Sequence, residues 1–347
     1  MGKQFTFINA RVIDPKVESE TTGTLTINDG LIEKRDGGIK GKVIDCGGMC
    51  LAPGIIDIGV KVCEPGEKHK ESFRSASNAA AIGGVTSLVT RPDTKPSIDN
   101  PELLEFFKNR GKEFSKVRIF PTASLTKKNN GKKMTEIGFL HEGGAVAFTD
   151  GFNSIPNTKT FHTILKYASD FNTLIIGHPQ DHFLTQSTSA SSGVFASIKG
   201  LSSSPNIAEK IGIERDTALV NNINIRYHAD QITTKIGLDV LRHAKKNNDR
   251  LTAGTSVHHI LFNELDIGNY RTFFKLKPPL RNNIDREALT EAIKEGLIDN
   301  ICSMHTPQDE ESKRLPFEEA APGAVGLETI LPASLSLYHN KVLNLNQ

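Results

Sequence analysis

Ala52-Pro53-Gly54-Ile55-Ile56-Asp57-Ile58 marks the point at which the chain changes texture. Before it, Phe5-Thr-Phe-Ile8, Thr24-Leu-Thr-Ile27 and Lys42-Val-Ile44 are short alternating or β-branched runs. They are separated by the turn-forming Asn28-Asp29-Gly30 and Asp36-Gly37-Gly38, which predicts a small antiparallel β-unit. After it, strand-length apolar runs alternate with helix-length amphipathic segments. Eight such runs follow in order, at residues 54–58, 85–90, 116–120, 144–149, 174–178, 223–228, 251–255 and 298–303. Helical spacing of apolar residues is clearest from Pro101, which opens a helix after Asp99-Asn100, and at 158–167, 235–246 and 285–295. Eight βα units in about 280 residues match a (β/α)8 barrel, typically about 250 residues long. The expected fold is therefore an α/β barrel of the TIM type with a small N-terminal β-unit, a doubly wound sheet being the alternative. The expected division is 1–52 for the β-unit, 53–331 for the barrel and 332–347 for a short tail.

Composition narrows the partners. Lys and Arg number 42 against 40 Asp and Glu, a formal charge of +2, and the basic residues form no run dense enough to follow a phosphate backbone. Nucleic acid is not an expected partner. No stretch approaches the roughly 18 apolar residues that span a bilayer, so no membrane protein is expected. The N-terminal Met1-Gly-Lys-Gln-Phe-Thr-Phe-Ile8 has no apolar core or small-residue cleavage site, which predicts a cytoplasmic protein. Cys46, Cys50, Cys63 and Cys302 fit no redox pair or zinc knuckle, and buried free thiols are expected.

A barrel collects chemistry at the C-terminal ends of its strands. Asp150 follows the fourth run, His178 closes the fifth, Gln231 lies past the sixth and Ser303-Met304-His305 close the eighth. His258-His259 suggests a metal pair, but neighbours on a strand face opposite sides, so a structural role is expected. His69 and His141 lie in no motif, and Gln186-Ser-Thr-Ser-Ala-Ser-Ser-Gly193 reads as a polar loop.

From about Asn9 to Leu331 the chain resembles the monofunctional bacterial dihydroorotases. The resemblance rests on Ala52-Pro-Gly-Ile-Ile-Asp57, Glu64-Pro-Gly66, Gly83-Gly-Val-Thr86, Pro92-Asp-Thr-Lys-Pro96, Ala147-Phe-Thr-Asp150, Val257-His-His-Ile260, Lys275-Leu-Lys-Pro-Pro-Leu-Arg281 and Gly326-Leu-Glu-Thr329. It implies interconversion of N-carbamoyl-L-aspartate and dihydroorotate by divalent metals that polarise the amide and generate hydroxide, with an Asp carrying the proton to the leaving nitrogen.

Residue by residue, the implied site is broken. The His-x-His pair falls on Gly59 and Lys61, the bridging-ligand region on Asp150, where one Asp of an Asp-Asp pair is gone, and the later histidines on His178 and Gln231. The proton-shuttle Asp falls on Met304, so no catalytic residue is assigned. The substrate positions fall on Cys63, Asp93, Lys277 and Gln308. A catalytic zinc normally takes three protein ligands. No cofactor is therefore expected, zinc being the alternative. Buried carboxylates without metal need another cation, and Lys61 is expected to pair with Asp150.

The reading that follows is a dihydroorotase-like protein, impaired or inactive, kept as a structural partner of aspartate transcarbamoylase, which the resemblance suggests, or as a homo-oligomer. The alternative is an active dihydroorotase with a rebuilt site. The resembling proteins continue well beyond Gly326-Leu-Glu-Thr329, so residues 5–50 are expected to lack partner strands and to leave an edge needing cover.

Overall fold

The structure is a computed structural model and describes residues 4–15, 19–35 and 38–347. It divides into one unit of residues 1–55 with 337–347 and a second of residues 56–336. The boundary drawn at 332 thus falls inside a helix, Ile330–His339.

In the smaller unit, strand Gln4–Asp14 pairs antiparallel with Ser19–Asn28, which pairs with Leu31–Arg35 across Asp29-Gly30, both at positive φ. The unit is not purely antiparallel as expected: Lys42–Asp45 and Cys50–Leu51 run parallel to the first strand. The expected turn at Asp36-Gly37 lies outside the described residues. Leu31 and Ile32 on the edge strand are 74% and 67% exposed, apolar surface of the kind an edge strand normally avoids. Cys46 is buried, whereas Cys50, expected inside, is exposed because its two-residue strand lies at the sheet margin.

The larger unit is the barrel. Ile55–Val60, Val85–Thr90 and Arg118–Pro121 form one parallel run; Leu174–Gly177, Arg226–Ala229, Leu251–Ser256 and Asn300–Cys302 form another. The fourth predicted strand is only a pair of bridges: Phe148 joins Ala123 on one side and Ile175 on the other. Residues 146–149 link the two runs: Val146 N donates to Pro121 O and Thr149 N to Ala123 O on one side, and Phe148 N donates to Leu174 O on the other. The ring closes where Lys61 N donates to His305 O at 2.9 Å, and Ser303 N donates to Asp57 Oδ1 at 2.9 Å, tying the eighth strand to the first. This closure separates the barrel from the doubly wound alternative.

Side-chain caps start the outer helices where sequence expects them. Asn100 accepts from Leu103 N before Pro101, Asn157 from Thr160 N, Thr234 from Gly237 N and Asn282 from Asp285 N. Helix Phe73–Ile82 packs Phe73 edge-on to Phe107, ring centroids 4.7 Å apart. His258 and His259 are helical, in Val257–Leu261, rather than on a strand. His259 takes a structural role: Nδ1 meets Ser256 Oγ at 2.8 Å and Nε2 meets Pro278 O at 3.2 Å. Among the described residues no helix is long and apolar enough to cross a membrane.

Candidate functional site

The strand ends bring together most of the residues singled out in the sequence, in an arrangement dominated by internal ion pairs. Gly59, near the end of the first strand, has φ +81°, and a Cβ added there would meet Met304 Sδ at 2.5 Å. Met304, itself at φ +45°, is 3% exposed, so its thioether fills space beside the glycine.

Lys61 does not pair with Asp150 as expected. Its Nζ lies 3.4 Å from Asp93 and 3.7 Å from Glu67. Asp150 instead accepts from Thr126, through the backbone N at 2.9 Å and through the hydroxyl, and burial pushes its carboxyl up to about 6. The reason is local: the turn at residues 124–131 supplies neutral donors to Asp150, while Asp93 and Glu67 offer Lys61 ionised partners.

Arg91 organises this cluster. Its Nε and NH2 grip both Asp93 oxygens at 3.0 and 2.8 Å, NH1 donates to Thr306 Oγ1 at 3.1 Å, and the guanidinium stacks 3.8 Å from the Phe152 ring centroid. Burial would raise the Asp93 carboxyl, but the charge and hydrogen bonds of Arg91, then of Lys61, hold it far below the usual range. At Glu67 burial is likewise outweighed, by hydrogen bonds from Lys70 and Lys95 and by the Lys61 charge, leaving the carboxyl at about 2. Cys63 beside them is buried, and burial pushes its thiol up to about 11.

His178 is buried with Nδ1 lacking a partner among the described residues; burial, then the charges of Lys277, Arg91 and Arg281, bring it down to about 3. Gln231 sits at φ +54° with Nε2 unpartnered. Next to it, Asp230 is buried with Oδ1 unpartnered, and burial raises it to about 7 against the nearby Arg91. Asp230, Gly59, Thr90 and Arg91 line a cavity of about 10 Å³, roughly the room for one water. Gln308 donates from Nε2 to Pro322 O at 2.9 Å. Lys277 faces a separate cavity of about 440 Å³ at the strand ends, together with His178, Gln180 and Phe152.

Arg91, Glu67, Asp230 and Glu209 went unnoticed in the sequence. Arg91 directly precedes the quoted Pro92-Asp93, Glu67 follows Glu64-Pro-Gly66, and Asp230 precedes Gln231, so the signal was adjacency to a motif. Glu209 had no such signal. Fully buried, it accepts from Gln180 Nε2, from the backbone N and hydroxyl of Thr233 and from those of Thr234, at 2.6 to 3.0 Å, with Arg281 NH2 at 3.6 Å.

The fold is a (β/α)8 barrel shared with known hydantoinase structures. The chain superposes on the L-hydantoinase (dihydropyrimidinase) from Arthrobacter aurescens with a TM-score of 0.87 at 22% identity, covering 100% of this chain and 79% of that one, and on a D-hydantoinase with 0.84 at 19%, covering 99% and 78%. Within that class, the family model described as Dihydro-orotase-like matches residues 48–237. The chain is 37% identical over 348 aligned residues to the dihydroorotase of Ehrlichia canis (strain Jake), covering 98% of this chain and 77% of that one. It is 39% identical over 319 residues to the dihydroorotase of Bacillus pumilus (strain SAFR-032), covering 92% and 73%, and 32% identical to a dihydroorotase-like protein of Pseudomonas putida, covering 97% and 81%. The chain belongs to the dihydroorotase family.

Membership corrects one expectation. Dihydroorotase and hydantoinase relatives are typically zinc-dependent, so the expectation that no cofactor is involved does not stand. The residues present are nonetheless a poor match to such an ion: of the six implied positions Asp150 and His178 keep side chains able to bind it, Asp150 being engaged by Thr126, while the other four are a glycine, an ion-paired lysine, an amide and a thioether. Among the described residues no group of three or more His, Cys, Asp or Glu side chains is placed to hold a metal.

Proposed function

We propose that this chain is a dihydroorotase-family protein of pyrimidine biosynthesis that turns over dihydroorotate poorly or not at all, and that it serves in the cytoplasm as a structural partner of aspartate transcarbamoylase. The observation that carries this reading is the pairing of Gly59 with Met304, which fills the strand ends with an apolar side chain where the resemblance puts a ligand and the proton shuttle.

Ring opening of a cyclic amide needs an activated water, a polarised carbonyl and an acid for the leaving nitrogen. Met304 has no proton to exchange. His178, brought down to about 3, stays neutral near pH 7 and is no acid there. Lys61 and Arg91 are held by Glu67 and Asp93. Asp93 would also repel a substrate carboxylate at a position that should attract one.

A rebuilt active site is favoured by one group alone: Asp230, raised to about 7 with a free oxygen on the small cavity, has the properties of a general acid or base. Complementation separates the readings. Expression in a pyrimidine auxotroph lacking dihydroorotase is expected to give no growth without uracil, while growth would establish the rebuilt site. Co-elution with aspartate transcarbamoylase of the same organism tests the partnership; elution of the two as separate species would remove it.

A further inference from the structure

Away from the ion-paired cluster, the larger unit presents an apolar ridge to solvent. The short helix Val194–Lys199 turns Ala196 into a small core built around Ile267 and Phe317, and Phe195 packs against the same core. Its opposite face carries Val194, Ser197 and Ile198, three and four residues apart and therefore side by side. Val194 and Ile198 are 76% and 77% exposed. Ser197 between them is small, and its hydroxyl is already used, donating to Gly193 O at 3.0 Å. In the neighbouring turns Glu264–Ile267 and Thr272–Phe274, Leu265 and Phe273 are exposed as well, while Ile267 and Phe274 point into the core. Exposed apolar side chains grouped in this way mark an interaction surface.

The ends of the ridge carry opposite charges. At the C-terminal end Lys199 Nζ donates to Asn269 Oδ1 at 3.3 Å and lies 5.2 Å from the Tyr270 ring centroid, while the Tyr270 hydroxyl donates to Lys199 O at 2.8 Å. At the N-terminal end stands Glu264, whose Oε2 lies 3.8 Å from where a Cβ on Gly193 would sit. The helix between them has 6 residues, a rise of about 9 Å. Among the described residues neither charge has an opposite partner. Lys199 meets only an amide and a ring, and Arg281, the cation whose charge reaches Glu264, is taken by Glu209 at 3.6 Å.

A surface with this charge order is complementary to itself. A two-fold axis at Ser197 sets two copies of the helix antiparallel, which brings Lys199 of each copy to Glu264 of the other and closes Val194 and Ile198 of both between them. A uniformly acidic or basic partner would satisfy one end and oppose the other. We propose that this face joins two copies of the chain in an isologous dimer, with Ile198 at its centre and two Lys199–Glu264 pairs at its rim. Self-association through this face depends neither on turnover of dihydroorotate nor on aspartate transcarbamoylase.

Sedimentation equilibrium of the full chain between about 1 and about 100 µM tests it. A reversible equilibrium between the 37.9 kDa chain and its dimer is expected within that range. Ile198→Asp changes an exposed position, so it should leave the unfolding midpoint unchanged and weaken the dimer by at least about tenfold. Lys199→Glu and Glu264→Lys each set like charges together at both rims, and each should weaken the dimer by at least about tenfold. An equimolar mixture of these two variants restores an opposite-charge pair at both rims and should associate within about threefold of the parent. A chain that stays monomeric up to about 100 µM would overturn the interface. So would a dimer unaffected by Ile198→Asp, or a mixture that associates no better than its components.

Discussion

Met304 Sδ lies where a side chain on Gly59 would have to go: a Cβ built on the glycine would sit 2.5 Å from the sulfur and 3.1 Å from the terminal methyl. The two positions implied as a metal ligand and as the proton shuttle have therefore become one packing unit. Gly59 is also at φ +81°, where an L side chain is strained whatever the space.

Gly59→Ala is expected to lower stability by about 2 kcal/mol, from backbone strain and overpacking together. Met304→Ala should lower it by about 2 to 5 kcal/mol through the cavity it leaves. The double variant should be less damaged than the sum, by about 1 kcal/mol or more, because the cavity admits the new methyl. Denaturant unfolding of the four proteins in the cycle measures this; strict additivity would show that the two residues do not pack as a unit.

Lys61 and Arg91 lie in the same cluster and should differ sharply. Arg91 is buried, grips Asp93 through two hydrogen bonds and donates to Thr306, so Arg91→Met leaves a partly buried carboxylate behind and should cost about 3 to 5 kcal/mol. Lys61 lies at longer range from carboxylates that have other cations, and Lys61→Met should cost only about 1 kcal/mol. Equal losses in thermal unfolding would mean that Lys61 is the principal counter-charge after all.

Glu209 joins the segments that carry Gln180, Thr233, Thr234 and Arg281. Glu209→Ala is expected to destabilise by about 3 to 5 kcal/mol, since five donors and a buried guanidinium lose their acceptor. A loss below about 1 kcal/mol would show that water replaces the carboxylate there.

His259 gives a pH signature. Burial, then the charges of Arg281 and His258, lowers its imidazole from 6.5 to about 3 in the folded chain. A depressed folded value means stability that is fully present above pH 6.5 and is lost as pH falls toward 3, at up to about 1.4 kcal/mol per unit. His259→Gln should therefore be less stable than the parent at pH 7, with the gap narrowing as pH falls from 6.5. A gap that stays constant between pH 7 and pH 4 would show that folding does not depress the His259 imidazole.

The barrel was legible because strand-length apolar runs and capped helices recur at a regular period; Val85–Thr90 and the helix start at Pro101 lie where the sequence puts them. The fourth run did not become a strand, since Phe148 makes only one-residue bridges to Ala123 and Ile175 and no regular ladder. In the small unit, turn chemistry predicted the hairpin at Asp29-Gly30 but could not show that Lys42–Asp45 pairs parallel to the first strand, a long-range choice. At the site, residue identities were readable and partners were not. Lys61 was matched to the acid that the motif named, Asp150, while the fold offered it Asp93 and Glu67, one of them held in place by Arg91, which no motif marked.

The central claim is that these strand ends do not support turnover. The most direct measurement is steady-state ring opening of dihydroorotate and cyclisation of N-carbamoyl-L-aspartate by the purified chain, with and without added zinc. The account predicts rates in both directions equal to the protein-free blank under both conditions. Saturable turnover proportional to protein concentration, and lost in Asp230→Asn, would contradict it.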